Sequence, residues 1–330
     1  MQIRKAVITA AGRGVRLYPA SDTVQKSMLP VVDRDGLAKP VIQIIAEEAL
    51  ESGIEEVCIV CAPGDDEQYL RQLRLLRDNP GGCRERQSPD WHSQDGGYAG
   101  MDWAREQAER IDRLVRRLRF AVQEEPRGYG HAVYCAKEFV GDESFLLLLG
   151  DHLYVSEIVG RRCAQQLIAL AEQEGCAAAA VQATREHLVG RYGTLSGKRI
   201  PNASGVYQIE RIIEKPSVSA AELELQTPGL RMAHYLCFFG MHVLPHSIFA
   251  ILEEAIHPKG NANVETQLTP ALQELAKREK YLAIEVRGAR YDIGGRFGLL
   301  QTQIALGLAG KDRDAILRIL IELLAEAQGQ

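Results

Sequence analysis

Gly12, Gly14 and Arg16 occupy alternate positions of one short stretch. Lys26 follows ten residues after Arg16. The stretch comes directly after an apolar run at residues 6–10, which is typical of a buried parallel strand. Glycines let backbone N–H groups approach anionic oxygens, and the two basic side chains add positive charge. This combination predicts a loop that binds a polyphosphate.

The spacing of this loop differs from that of two common phosphate-binding loops. A dinucleotide-binding fingerprint would need a third glycine at the position of Leu17. A P-loop would need a closing Gly-Lys-Ser or Gly-Lys-Thr, which is absent. An NAD-dependent dehydrogenase is therefore disfavoured, while a nucleotide remains a suitable ligand.

Two further apolar runs end close to polar residues. The run at residues 119–123 ends on Gln123, with Gly128 shortly after it, and the run at residues 145–149 is soon followed by Asp151. In an open parallel sheet, ligands bind beyond the carboxyl ends of the strands. We therefore expect Gln123 and Asp151 to lie at the same edge as the glycine-rich loop.

These motifs, with Tyr192-Gly193, Glu214-Lys215-Pro216 and Arg290-Tyr291-Asp292, follow one another between residues 7 and 307. In this respect the chain resembles the sugar-nucleotide nucleotidyltransferases, and most closely the bacterial UTP:glucose-1-phosphate uridylyltransferases. The resemblance implies an enzyme that forms UDP-glucose and pyrophosphate from UTP and a hexose 1-phosphate, namely glucose 1-phosphate.

The resemblance also implies a role for each candidate residue. The implied catalytic cations are Arg16, Lys26 and Lys215. The implied nucleotide-binding residues are Ala11, Gly12, Gly14, Gln123 and Gly128, the sugar-binding residues are Gly193, Glu214 and Lys215, and the Mg²⁺ ligands are Asp151 and Asp292. His131 and His152 have no second histidine at ligand spacing, so we expect both to be structural.

The implied chemistry depends on charge neutralisation. A sugar phosphate oxygen would attack the α-phosphorus in line with departing pyrophosphate, so positioning and electrostatics supply most of the catalysis. No general base is required, because the sugar phosphate is largely dianionic at neutral pH. Mg²⁺ held by one or two carboxylates and by phosphate oxygens is typical of such sites.

Gln123 offers a donor and an acceptor to the edge of uracil, whose N3–H lies between two carbonyl groups. Because the amide could flip, we expect CTP to be rejected by backbone groups rather than by Gln123. Thymine differs from uracil only by a methyl group, so dTTP should be the nucleotide that is excluded least well.

Other functions remain open. The family's proline before Lys26 is replaced by Gln25, and its threonine by Val15, which leaves the identity of the sugar open. A related enzyme could use dTTP, CTP or another hexose phosphate. A non-catalytic sensor of nucleotide sugars would keep the fold without the chemistry, but the implied catalytic and metal-binding residues are all present.

The elements that must position these residues follow from periodicity. A strand at residues 6–10, a helix at 40–52 and a strand at 56–62 form a βαβ unit, which implies a parallel sheet with a right-handed crossover. A long helix is expected at residues 155–174. The pattern indicates an α/β fold with a Rossmann-like doubly wound mixed sheet, a smaller sugar-binding β region and C-terminal helices.

We expect one nucleotidyltransferase domain over residues 1–310, with a nucleotide half at 1–183 and a sugar-phosphate half at 184–310. Residues 78–100 are rich in Gly, Ser, Asp and Arg and are predicted to form a mobile insertion. Residues 311–330 are predicted to form an amphipathic helix. Its apolar face and the family resemblance predict a homo-oligomer.

The composition is that of an ordinary globular protein, with 46% hydrophobic and 25% charged residues in a chain of 330. A formal net charge of −5 provides no basic surface for a nucleic acid. No apolar run approaches the length of a membrane span, and no signal peptide precedes the first strand. The seven cysteines are an odd number and several lie in apolar runs, which predicts reduced thiols and a cytoplasmic location.

Overall fold

The computed structural model describes residues 1–78, 102–256 and 265–328, so the predicted insertion at 78–100 lies outside it beyond Asp78. The strands are β1 (Lys5–Thr9), β2 (Pro30–Val32), β3 (Ala38–Pro40), β4 (Glu56–Cys61), β5 (Leu118–Val122), β6 (Phe145–Leu149), β7 (His152–Ser156), β8 (Ala177–Arg185), β9 (Gly193–Arg199), β10 (Val206–Glu214), β11 (His234–Leu244), β12 (Tyr281–Glu285) and β13 (Gly288–Asp292). The helices are α1 (Val41–Leu50), α2 (Asp65–Asp78), α3 (Asp102–Arg117), α4 (Tyr129–Tyr134), α5 (Lys137–Val140), α6 (Cys163–Glu174), α7 (Val218–Glu224), α8 (Ile248–Ile256), α9 (Leu268–Arg278), α10 (Gly298–Ala309) and α11 (Arg313–Gln328).

A nine-stranded mixed sheet forms the centre of the fold, in the order β5-β4-β1-β6-β11-β8-β12-β10-β9. The strands β5, β4, β1 and β6 are parallel to one another, whereas β11 runs antiparallel to β6 and β8. The predicted βαβ unit of β1, α1 and β4 is therefore confirmed. The four parallel strands end at one edge of the sheet.

Successive residues of the parallel strands pack on opposite faces of the sheet. Ile8 and Leu148 belong to one buried cluster with residues of α1 and α6, while Val7 and Leu147 belong to another with residues of α8 and α9. Burying one such side chain stabilises the folded state by about 1.5–3 kcal/mol. Because helices cover both faces, the sheet is doubly wound, and the predicted fold class is confirmed.

The predicted helix at residues 155–174 is wrong in its first part. The helix α6 begins at Cys163, whereas residues 155 and 156 belong to β7, which pairs antiparallel with β13, and residues 157–162 connect the two elements. Tyr154 of β7 is buried and donates from its hydroxyl to Gly240 O at 3.0 Å. The partner strand is far away in the chain, so local periodicity does not reveal the pairing.

The predicted amphipathic helix at the end of the chain is α11, and much of its apolar surface is uncovered. Ile316 packs against α10, where a Cβ added at Gly307 would lie 3.3 Å from it. Ile319 and Leu323 are 50% and 56% exposed. The helix therefore presents apolar side chains to solvent.

Candidate active site

The carboxyl ends of the parallel strands carry predicted nucleotide-binding and metal-binding residues. Gln123 directly follows β5, Ala11 follows β1 after one residue, and Asp151 follows β6 after Gly150. Neighbouring strands are about 4.8 Å apart, so the ends of β1 and β5, which are separated by β4, lie roughly 10 Å apart. The expectation that these residues share one edge of the sheet is confirmed.

Gly14 shapes the loop between β1 and Lys26. Its φ of 65° lies in the left-handed region that glycine adopts readily, and it precedes a 3₁₀ turn at Val15–Leu17. A Cβ at this position would lie 3.1 Å from Lys26 Cδ, so the glycine lets the lysine side chain pass close to the backbone. A Cβ at Gly12 would meet no atom within 4 Å, which leaves space for a ligand beside the loop.

Each predicted triphosphate-binding cation lies beside a predicted metal ligand. Lys26 Nζ is 2.6 Å from Asp151 Oδ2, and Arg16 Nη2 is 3.7 Å from Asp292 Oδ2. Burial alone would raise the pKa of Asp151, but a hydrogen bond from His152 and the charges of His152 and Lys26 hold that pKa well below its usual range. Asp151 is therefore an anion at neutral pH.

The short sheet of β7 and β13 places Asp292 next to Asp151. In its register Asp292 lies opposite His152, and Ile293 N donates to Asp151 O at 3.0 Å. Asp292 Oδ1 accepts a hydrogen bond of 2.8 Å from Gly294 N. The strand that sequence reasoning missed is thus the element that brings the two carboxylates together.

Asp151, His152 and Asp292 form a set of side chains that could hold a metal ion. One ligand atom from each lies within 4.8 Å of the other two. Carboxylate oxygens are the donors that Mg²⁺ prefers, and water and substrate phosphates usually complete its coordination. The two aspartates therefore fit the predicted Mg²⁺, and His152 adjoins them with Nδ1 2.7 Å from Asp151 Oδ1.

Gln123 and Gly128 form the predicted base-binding end of the site. Gln123 is buried, and its Nε2 donates to Gly128 O at 3.1 Å and lies 3.1 Å from His131 Nδ1. Gly128 has a φ of 97°, and a Cβ there would lie 2.6 Å from Thr266 O. No residue with a Cβ fits at this position without moving the backbone of Thr266.

Gly193, Glu214 and Lys215 meet where β9 pairs with β10. Gly193 lies opposite Glu214 in the register, and a Cβ at Gly193 would be 3.0 Å from Glu214 Oε2. Lys215 has a φ of 45°, which is uncommon for a residue other than glycine. Its Nζ is 3.7 Å from Glu214 Oε1, and both side chains are exposed. Both side chains are therefore accessible to a ligand that carries negative charge and hydroxyl groups.

Tyr129 follows Gly128 directly. Burial raises the pKa of its hydroxyl, and the charges of Asp151 and Glu214 raise it further.

Sequence reasoning missed several contacts with the predicted residues. His131 and His152, expected to be structural, contact Gln123 and Asp151. Thr269 Oγ1 donates to Glu214 Oε2 at 2.6 Å. The Arg290 guanidinium lies 3.8 Å from the centre of the Tyr192 ring. Arg290 could have been found from its position two residues before Asp292, which places both on one face of β13. No local signal points to Thr269.

The sequence model of the nucleotidyl transferase family matches residues 5–305 of the chain. The UTP–glucose-1-phosphate uridylyltransferase YngB of Bacillus subtilis is 35% identical over 313 residues, which are 93% of this chain and 90% of that protein. The UTP–glucose-1-phosphate uridylyltransferase of Streptococcus pneumoniae serotype 4 is 33% identical over 325 residues, which are 98% of this chain and 96% of that protein.

Solved structures with a similar fold include nucleotide complexes. The UTP-bound UGPase from Acinetobacter baumannii is 28% identical with a TM-score of 0.74, covering 98% of this chain and 100% of that chain. A UDP-glucose pyrophosphorylase complexed with UDP-glucose is 28% identical with a TM-score of 0.69, covering 92% of this chain and 98% of that chain. Among the helices that the structure describes, none has the length and apolar character needed to cross a membrane.

Proposed function

The chain belongs to the nucleotidyl transferase family, and we propose that it forms UDP-glucose and pyrophosphate from UTP and glucose 1-phosphate. One observation carries the proposal: Lys26 meets Asp151, and Arg16 meets Asp292, at the strand edge of a fold like that of UTP-bound and UDP-glucose-bound relatives. Both substrates are strongly anionic. A cluster of cations and carboxylates is suited to bringing them together.

The reaction is an in-line displacement at the α-phosphorus. A phosphate oxygen of glucose 1-phosphate forms the new P–O bond while the bond to pyrophosphate breaks, and the anionic nucleophile needs no general base. Arg16 and Lys26 position the triphosphate and neutralise the charge that develops on pyrophosphate. Lys215 binds the sugar phosphate, while Glu214 and Gly193 contact the sugar.

We assign Mg²⁺ to Asp151 and Asp292. The low pKa of Asp151 keeps this ligand charged at neutral pH. When bound, the cation supplies positive charge to the reacting phosphates. His152 orients the Asp151 carboxylate through the contact between its Nδ1 and Asp151 Oδ1.

Release of pyrophosphate by the purified protein, measured over a matrix of nucleoside triphosphates and sugar phosphates, tests the function. We expect the highest kcat/KM with UTP and glucose 1-phosphate, a lower value with dTTP, and steric exclusion of ATP and GTP. Preference for dTTP, CTP or another hexose phosphate would identify a related enzyme. Tight binding of a nucleotide sugar without pyrophosphate release from any pair would identify a sensor.

Lys215→Ala is expected to raise the KM for glucose 1-phosphate by about tenfold or more, because a charge-assisted hydrogen bond contributes about 1.5–3 kcal/mol. The KM for UTP should change little. Initial rates at varied concentrations of each substrate measure both constants. Lys198→Ala, which removes an exposed lysine of β9, is the matched control. An equal rise in both KM values would contradict a specific contact with the sugar phosphate.

We also propose that α11 joins copies of the enzyme in a homo-oligomer. Its Ile319 and Leu323 are about half exposed, so burying each of them would contribute roughly half of the about 1.5–3 kcal/mol that burial of a fully exposed side chain contributes. The double substitution Ile319→Glu/Leu323→Glu is expected to lower the sedimentation coefficient to that of a monomer, whereas Glu322→Gln on the same helix should not. A wild-type protein that sediments as a monomer at micromolar concentration would contradict the proposal.

We propose one catalytic domain over residues 1–310, with a nucleotide half at 1–183 and a sugar-phosphate half at 184–310. The nucleotide residues follow β1 and β5, and the sugar residues lie on or next to β9 and β10, which supports this division. A cytoplasmic location agrees with the six described cysteines, which are all free.

A further inference from the structure

The side-chain amide of Gln123 has a defined orientation. Its Nε2 faces Gly128 O, and a carbonyl oxygen can only accept a hydrogen bond. The second N–H of the same amide faces His131 Nδ1 at 3.1 Å. A flipped amide would set its oxygen against the Gly128 oxygen and would leave both acceptors without a donor. The two partners therefore oppose the flip.

His131 can accept from Gln123 only as a neutral ring with its hydrogen on Nε2. Burial and the nearby charge of Arg127 lower the pKa of His131, and a hydrogen bond to the backbone of Glu125 and the charge of that residue only partly oppose them. The ring is therefore neutral at physiological pH. Its Nδ1 lone pair is available to Gln123.

The oxygen of the Gln123 amide remains for a ligand. Within the described parts of the chain, Gln123 Oε1 accepts no hydrogen bond, whereas Nε2 has two partners. Uracil and thymine carry a hydrogen at N3, and cytosine carries a lone pair there. An amide held with its oxygen toward N3 would bond to uracil or thymine and would repel cytosine.

We propose that His131 is a positioning residue that, with the Gly128 carbonyl, fixes Gln123 as an acceptor and so selects pyrimidines that carry N3–H. The inference rests on the proposed function, because it takes Gln123 as the contact of the UTP base. It replaces the expectation that only backbone groups reject CTP. It predicts that His131 affects the selection of uracil over cytosine but not the selection of uracil over thymine.

Three substitutions at one position test the proposal. His131→Leu and His131→Ala remove the acceptor. His131→Asn keeps one, because asparagine Oδ1 and histidine Nδ1 are both bonded to Cγ. An unpaired buried N–H costs about 1–3 kcal/mol, so we expect the UTP/CTP ratio of kcat/KM to fall about tenfold in the first two variants. The ratio should be largely retained in His131→Asn, and the UTP/dTTP ratio should stay within about twofold of wild type in all three.

The same ratios measured as binding constants, by calorimetry of each triphosphate with the Mg²⁺-loaded enzyme, separate base selection from turnover. Gln123→Ala should lower the UTP/CTP ratio at least as far as His131→Leu. An unchanged UTP/CTP ratio in both acceptor-free variants would overturn the proposal. So would an equal fall of the UTP/CTP and UTP/dTTP ratios, or a loss in His131→Asn as large as in His131→Ala.

Measurements on the wild-type enzyme distinguish a failure of the His131 proposal from a failure of the proposed function. A wild-type enzyme that uses or binds ATP as well as UTP would contradict the proposed function and the base site together. A wild-type enzyme that prefers UTP, with His131 variants that keep its preference over CTP, would contradict only the role of His131.

Discussion

Lys26→Ala is expected to lower kcat by about 10²- to 10³-fold while the protein stays folded. The Lys26 ammonium lies at the glycine-rich loop, 2.6 Å from Asp151, where the triphosphate is proposed to bind. Its charge would act most strongly on oxygens that become more negative as pyrophosphate departs. A contact that strengthens in the transition state changes kcat rather than KM alone. Steady-state pyrophosphate release at saturating substrates measures the effect.

Two variants control this result. Lys26→Arg keeps the charge and should retain more activity than Lys26→Ala. Lys277→Ala removes an exposed lysine whose partner is Glu274 on the protein surface, and it should keep full activity. Thermal unfolding should show a folded Lys26→Ala protein, because losing one buried hydrogen bond costs about 1–3 kcal/mol of a typical 5–15. An unchanged kcat would remove Lys26 from the catalytic assignment.

The central sheet could be predicted because its parallel strands are buried on both faces. The runs around Ile8, Ile59 and Leu147 are continuously apolar, and each lies within one residue of the strand that forms. The strand β7 could not be predicted in this way. It is held by its pairing with β13 and by the hydrogen bond from the Tyr154 hydroxyl to Gly240 O. Both contacts join parts of the chain that are far apart, so a short stretch of sequence does not reveal them.

In the candidate site, too, some residues could be placed from the sequence and some contacts could not. Gln123 and Asp151 follow parallel strands, so the rule that such ends share one edge was sufficient to place them together. The contact of Thr269 with Glu214 joins α9 to the end of β10, and the stacking of Arg290 on Tyr192 joins β13 to the start of β9. These contacts depend on how distant elements pack. Spacing along the chain places Arg290 on the same face of β13 as Asp292, but it predicts neither the contact of Arg290 with Tyr192 nor that of Thr269 with Glu214.

Asp151→Asn is expected to lower Mg²⁺-dependent turnover by at least about 100-fold. Asparagine keeps the size of aspartate and can still accept from Lys26, but it has no negative charge. The pKa of Asp151 lies well below its usual range, so the wild-type carboxylate is charged throughout a neutral assay. The substitution therefore removes charge from the proposed metal site with little change of shape. Asp142→Asn, at an exposed position after α5, is the matched control.

Metal binding gives a readout that does not depend on turnover. Titration with Mn²⁺, followed by electron paramagnetic resonance, should show weaker binding to Asp151→Asn and Asp292→Asn than to wild type or Asp142→Asn. A chelator should silence the wild type, and excess Mg²⁺ should restore it. Full turnover in excess chelator, or unaltered Mn²⁺ binding by Asp151→Asn, would contradict the metal assignment.

Lys26 and Asp151 share one contact, so their substitutions should not act independently. In Lys26→Ala, Asp151 loses its partner cation and is left with a stronger net negative charge at the phosphate site. Removing the Asp151 charge as well relieves that imbalance. The double variant Lys26→Ala/Asp151→Asn is therefore expected to lose less activity than the product of the two single losses. A loss equal to that product would show that the two residues act on the substrates separately.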